Sequence, residues 1–148
     1  MSTVFSQIIA GNIPGYFAWA DETCVAFATI APVTDGHLLV VPRAEVERYT
    51  AADDATLAHL AVVAGRIGRA QEEALGCLRA GIVVAGFEVP HLHVHVVPLW
   101  EEGQLTLARA RTDVPPAQIQ AAVDKVRSAL QAAGWGEFVP ADATRVAG

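Results

Sequence analysis

The sequence predicts one α+β domain with an antiparallel sheet, one long central helix and a C-terminal helix. Three observations carry this reading. Short apolar runs alternate with turn residues, two longer stretches carry apolar stripes at helical spacing, and the two kinds are interspersed without a β-α-β rhythm. The length of 148 residues fits a single domain spanning 1–148, with its core over about 4–100 and a C-terminal helix and tail over 115–148. At 53% hydrophobic and 18% charged residues, the chain is too apolar to be intrinsically disordered.

The elements follow in order. Val4–Ala10 reads as a short helix, because Phe5, Ile8 and Ile9 share one face and Gly11 stops it. Asn12-Ile13-Pro14-Gly15 is turn chemistry. Tyr16–Ala20 and Cys24–Ile30 read as two strands of a hairpin, separated by Asp21-Glu22-Thr23. His37–Pro42 is a continuous apolar run and reads as a buried strand. Asp53 or Asp54 caps the clearest helix, which runs to about Leu75 with Leu57, Leu60, Ala61, Ala64, Ile67 and Gly68 as its apolar stripe; Gly76 closes it. Leu78–Ala85 and Pro90–Leu99 read as strands. Pro115 opens a last helix with Ile119, Ala122, Val123, Val126 and Leu130 on one face, and Gly134 ends it. Trp135 to Gly148 reads as a weakly structured tail.

Charge and composition narrow the function classes. Ten basic residues stand against sixteen acidic ones, for a net charge of −6. A protein that binds nucleic-acid polymers needs a cationic surface to displace counterions, so that class is demoted. Cys24 and Cys77 make no metal or redox spacing and read as small buried hydrophobes. Neither a signal peptide nor a membrane-length apolar run is visible, so the expectation is a cytoplasmic protein without a membrane partner.

Three of the five histidines fall in Pro90-His91-Leu92-His93-Val94-His95-Val96. In a strand, alternate side chains share a face, so Leu92, Val94 and Val96 would enter the core while the three imidazoles line the other side, roughly 6.5–7 Å apart. Two chemistries fit such a row. One imidazole can be a nucleophile that attacks phosphorus while its neighbours orient it or protonate a leaving group. Alternatively, two or three imidazoles can hold zinc in a metal-dependent hydrolase, although no cysteine pair lies nearby to complete a structural site.

His91-Leu92-His93-Val94-His95-Val96-Val97 matches the His-φ-His-φ-His-φ-φ signature, and Ala85-Gly86-Phe87-Glu88-Val89-Pro90 is similar to the lead-in that precedes it. Upstream, Phe5-x-x-Ile8-x-x-Gly11-x-Ile13-Pro14, Phe27-x-x-Ile30-x-Pro32 and Gly36-His37-x-Leu39-x-Val41-Pro42 follow in register. The first hundred residues thus resemble the histidine triad (HIT) superfamily of nucleotide hydrolases and nucleotidyl transferases. The resemblance implies a HIT-like fold, a homodimer whose sheets join across a two-fold, a small nucleotide as partner, and no cofactor. It implies that His93 attacks the α-phosphorus of a phosphoramidate or dinucleoside polyphosphate and is transiently nucleotidylated. His91 and His95 would flank that phosphate, with His95 near the leaving group. Backbone N–H groups of Gly86, Phe87, Glu88 and Val89 would face its oxygens. Phe5, Ile8, Phe27 and Ile30 fall where the family builds its base pocket.

Several positions depart from the family pattern. Thr29 stands where an Asp or Asn contacts the ribose, Ala80 near the position of an upstream Asn, and Phe87 where a Gln sits beside the phosphate. The Cys-x-x-Cys zinc pair of some bacterial members falls on Ser6 and Ile9, so no metal is expected there. These departures open a second possibility, a nucleotide-binding module with vestigial turnover. His37 reads as a turn-flanking histidine with a structural hydrogen bond, and His59 as solvent-facing.

Overall fold

A computed structural model describes residues 2–146. Its elements are α1 (Val4–Ala10), β1 (Phe17–Ala20), β2 (Cys24–Ala28), β3 (Leu38–Pro42), α2 (Asp54–Leu75), β4 (Arg79–Val83), β5 (Val94–Leu99) and α3 (Pro116–Leu130). The strands form one five-stranded sheet in the order β1-β2-β3-β5-β4, every neighbouring pair antiparallel.

β2 and β3 are buried along their whole length, which is why they read as unbroken apolar runs rather than alternating ones. One face, carrying Cys24, Ala26, Leu38, Val40, Val94 and Val96, packs against α2 and α3. The opposite face, carrying Val25, Phe27, Leu39 and Val41, packs against Phe5, Ile8 and Ile9 of α1. A bulge between Phe17 and Trp19 breaks the alternation in β1, so Ala18 and Trp19 both reach the α2–α3 layer while Phe17 faces α1.

α2 starts at Asp53, whose carboxylate accepts the Thr56 N–H, and ends at Gly76 in the left-handed region. Its buried stripe is Leu60, Val63, Ala64, Ile67, Gly68, Ala70 and Gln71. Ala61, expected in that stripe, is exposed, because the contact runs one position round the helix through Val63. No helix among the described residues is long and apolar enough to cross a membrane.

Residues beyond α3 overturn the expectation of a weakly structured tail. The chain continues through a wide turn, Gln131–Trp135, with Gly134 at φ 99°. Phe138 stacks on Trp19 at 4.7 Å between ring centroids, and Arg66 lies 3.8 Å over the Trp135 ring. Arg127 donates to the carbonyls of Phe17 (2.5 Å) and Pro140 (2.6 Å), and the Phe17 N–H donates to the Ala143 carbonyl at 2.6 Å. Val146 reaches the α1 face. Residues 147 and 148 of the expected tail lie outside the described residues.

Candidate active site

The triad segment differs from a simple strand row. β5 begins only at Val94; His91 and His93 precede it in an extended connection, where the His91 N–H closes a turn onto the Val89 carbonyl (2.8 Å). Pro90 has no N–H to give a ladder, and the Leu92 N–H pairs instead with the Val46 carbonyl at 2.6 Å. Leu92, Val94 and Val96 enter the core as the alternation predicts.

The three imidazoles therefore have three different environments. His91 is fully buried. Its Nε2 lies 2.7 Å from the Pro42 carbonyl and its Nδ1 2.6 Å from the Thr3 hydroxyl. A carbonyl only accepts, so Nε2 carries the proton and Nδ1 accepts from Thr3. With both nitrogens engaged inside the protein, the His91 ring is not free to flank a phosphate as expected.

His93 donates from Nδ1 to the His91 carbonyl at 2.7 Å, which leaves the Nε2 lone pair free. Burial holds its pKa below the ordinary imidazole value, so the ring is neutral near pH 7. Phe5 packs edge-on against it at 4.9 Å.

His95 pairs with a fourth histidine. The Val33 N–H donates to His37 Nδ1 (3.0 Å), so His37 carries its proton on Nε2 and donates it to His95 Nδ1 at 2.9 Å. His95 is thereby fixed as the tautomer whose Nε2–H points away from His37. Burial, and secondarily each neighbour's charge, lowers His37 to about 3 and His95 to about 4. The structural hydrogen bond expected for His37 is present, but it orders a triad member, and the Gly36-His37 pair at the mouth of β3 was its visible signal.

The remaining expected site residues divide. Phe5 and Phe27 are buried and touch edge-on at 5.4 Å beneath the His93 side, with Ile8 half-buried beside them. Ile30 is 86% exposed, beyond the end of β2 rather than among them. Thr29 uses its hydroxyl to accept the Ala31 N–H at 3.1 Å. Gly86 sits at φ 83°, a conformation glycine adopts without strain. The N–H groups of Gly86, Phe87, Glu88 and Val89 have no hydrogen-bond partner among the described residues. Phe87 is 96% exposed, Glu88 is exposed, and Val89 packs on the α1 face.

Ala80 lies outside the site. It pairs with Pro98 and faces Gly68 of α2, on the side of the sheet opposite His95. His59, expected to face solvent, places Nε2 2.7 Å from the Asp21 carboxylate.

A family model for the HIT domain matches residues 10–102. An uncharacterised HIT-like protein of Mycoplasma pneumoniae is 33% identical over 105 residues, covering 68% of this chain and 73% of the relative. The protein named hit from Bacillus subtilis is 34% identical over 106 residues, covering 68% and 72%. Among solved structures, a zinc-bound histidine triad family protein from Mycobacterium smegmatis superposes with a TM-score of 0.78 at 30% identity, covering 90% of this chain and 96% of that one. A hypothetical histidine triad nucleotide-binding protein from Sulfolobus tokodaii gives 0.77 at 28% identity, covering 87% and 92%.

The zinc of the mycobacterial protein raises the question of a metal here. Among the described residues, one group of three His, Cys or acidic side chains brings its ligand atoms together, Asp21, Cys24 and His59, all within 4.8 Å. The Asp21 carboxylate already accepts from Trp19 Nε1, His59 and the N–H groups of Thr23 and Cys24. Burial pushes the Cys24 thiol far above its ordinary pKa, against the thiolate that zinc requires. This donor set is closed by internal hydrogen bonds and does not fit zinc. The histidine row, the sheet that carries it and the matched model over residues 10–102 agree: the chain belongs to the HIT domain family.

Proposed function

We propose that the protein is a nucleotide hydrolase or nucleotidyl transferase that cleaves a nucleoside phosphate derivative at the α-phosphorus through a nucleotidyl-His93 intermediate. The observation that carries the reading is the His93 Nδ1–H donated to the His91 carbonyl, which presents an unprotonated Nε2 from a neutral ring. The lone pair of that Nε2 forms the N–P bond as the bond from phosphorus to the leaving group breaks. His95, whose fixed tautomer keeps the proton on Nε2, donates a hydrogen bond from that N–H to the departing atom, which leaves as a phosphate oxyanion or takes its proton from solvent. Water then attacks phosphorus and releases a proton to solvent as the N–P bond breaks and its electron pair returns to His93 Nε2. The N–H groups of residues 86–89, without partners among the described residues, would serve as donors to the charged oxygens. A phosphoramidate or a dinucleoside polyphosphate supplies such a leaving group, and Phe5, Phe27 and Ile8 offer an apolar wall to the base.

The chain is read as a cytoplasmic homodimer. β4 is an edge of the sheet, and Leu78, just before it, and Ile82, on it, are 65% and 51% exposed. Both cysteines are unpaired and buried, in keeping with a reducing compartment.

The test is covalent trapping with an α-phosphorus-labelled adenosine phosphoramidate, followed by peptide mapping. Label on His93, lost in His93→Ala with the fold retained, supports the reading; a His93→Ala protein that labels as well as the parent overturns the nucleophile. Tight binding of adenosine monophosphate with no turnover would support instead the nucleotide-binding module that Thr29 and Phe87 motivate.

A further inference from the structure

Three segments far apart in sequence meet around His91. Thr3 caps α1, its hydroxyl oxygen accepting the Ser6 N–H at 3.1 Å, and the same hydroxyl donates to His91 Nδ1 at 2.6 Å. Glu45, in the connection after β3, accepts twice through one oxygen, from the Thr3 N–H at 3.0 Å and the Ser6 hydroxyl at 2.5 Å. The Pro42 carbonyl takes the other His91 nitrogen. We propose that Thr3, Ser6 and Glu45 form a hydrogen-bonded clamp that positions the His93 nucleophile through His91. The proposal deepens the functional reading above and rests on it.

The mechanical argument runs through one atom. Among the described residues, one hydrogen bond orients the His93 ring, to the His91 carbonyl. That carbonyl is only as fixed as the residue that bears it. His91 is held at both ends of its ring, by the end of β3 at Nε2 and by the start of α1 at Nδ1. Its ring is fully buried, so removing the Thr3 hydroxyl leaves Nδ1 with no acceptor role to fill and no water to replace it. The clamp also docks α1, and α1 carries Phe5, whose ring touches both His91 (5.8 Å) and His93 (4.9 Å). One set of bonds therefore sets both the direction of the nucleophile and the wall beside it. The hydroxyl and amide donors hold the Glu45 carboxyl below its ordinary pKa, so it stays an acceptor through the neutral range.

Helix capping alone would explain Thr3 equally well, so the test separates the two. Single-turnover labelling of His93 by the adenosine phosphoramidate is measured on the full chain and on Thr3→Val, Thr3→Ser, Glu45→Ala and Glu45→Gln. Ring nitrogen NMR on the same proteins reads the His91 tautomer. Loss of one buried hydrogen bond predicts a labelling rate lower by roughly tenfold in Thr3→Val and Glu45→Ala at a KM within twofold. Thr3→Ser and Glu45→Gln, which keep the donor and the acceptor, restore the rate. His91 is a single Nε2–H tautomer in the parent and a mixture in Thr3→Val. A Thr3→Val protein that melts earlier yet labels at the parental rate with an unchanged His91 tautomer overturns the clamp and leaves a helix cap. If Thr3→Val fails to fold, Glu45→Ala, altered at an exposed position, decides by the same two readouts. If the parent itself takes no label, the functional reading falls separately. The clamp then stands or falls on whether Thr3→Val changes the His91 tautomer and speeds exchange of the His93 Nδ1 proton.

Discussion

His37 makes a quantitative prediction about acid stability. Its ring is 2% exposed, with Nδ1 accepting the Val33 N–H and Nε2 donating to His95. A second proton has nowhere to go: on Nδ1 it would point at the Val33 N–H. The native pKa accordingly drops from 6.5 to about 3, with burial as the main cause. The sign follows directly. Below pH 6.5 the unfolded chain binds a proton that the native ring refuses, so this contribution is intact above pH 6.5 and is lost as pH falls toward 3. One proton corresponds to about 1.4 kcal/mol per pH unit, and the unfolded ring is half protonated at pH 6.5, so lowering the pH from 6.5 to 4.5 costs about 2 kcal/mol from His37 alone. That is a large part of the roughly 5–15 kcal/mol that holds a typical domain folded. His93 and His95 act in the same direction. Carboxylates held low in the native state, such as Asp21 at about 2 from an ordinary 3.8, act mainly below this window. The assay is urea unfolding at half-unit steps from pH 7 to 4.5, for the parent and for His37→Asn, which keeps an acceptor for Val33 but does not titrate. Between pH 6 and 4.5 the variant should show a slope shallower by about one proton. Equal slopes would refute the argument that His37 is held neutral by burial and its two hydrogen bonds.

Two further predictions concern the tail and the edge strand. Arg127→Met removes the donors to the Phe17 and Pro140 carbonyls and should cost about 2–4 kcal/mol in urea unfolding. It should also open residues 139–146 to limited proteolysis, so an unchanged midpoint with a resistant tail would contradict that role. Ile82→Glu places a charge on the exposed side of β4 and should convert a dimer to a monomer in sedimentation at micromolar concentration, with little loss of monomer stability. A parent chain that already sediments as a monomer refutes the dimer.

Much of this was legible in the sequence because local pattern and tertiary role coincide. The α2 stripe, the Asp53 cap and the Gly76 stop are all written within one element. So are the unbroken apolar runs of β2 and β3. What escaped depended on partners distant along the chain. The composition of 135–146 resembles a loose tail, and only Trp19, Arg66 and Arg127, each from another element, give its side chains something to hold. The alternation of the triad correctly sorted Leu92, Val94 and Val96 from the histidines. It could not show that the chain reaches a ladder only at Val94, nor that one of three similar rings is locked inside while another is paired with His37. Ala80 misled for the opposite reason: its place in the sequence is near the site, but the pleat turns it toward α2.

The bonds at Phe17 have a meaning for assembly. A sheet with two open edges can recruit copies at both and grow without limit. Here the outermost strand, β1, spends its Phe17 N–H on Ala143 and its Phe17 carbonyl on Arg127, so the chain's own C-terminal segment stands where a foreign strand would dock. β4 is the other edge of the sheet, where the Ala80 N–H is taken by the Glu72 carboxylate at 3.1 Å. If two copies pair along β4, as proposed, each would present its β1 border outward. In such a pair the C-terminal segment would serve as a terminator at Phe17, against sheet extension into a fibre.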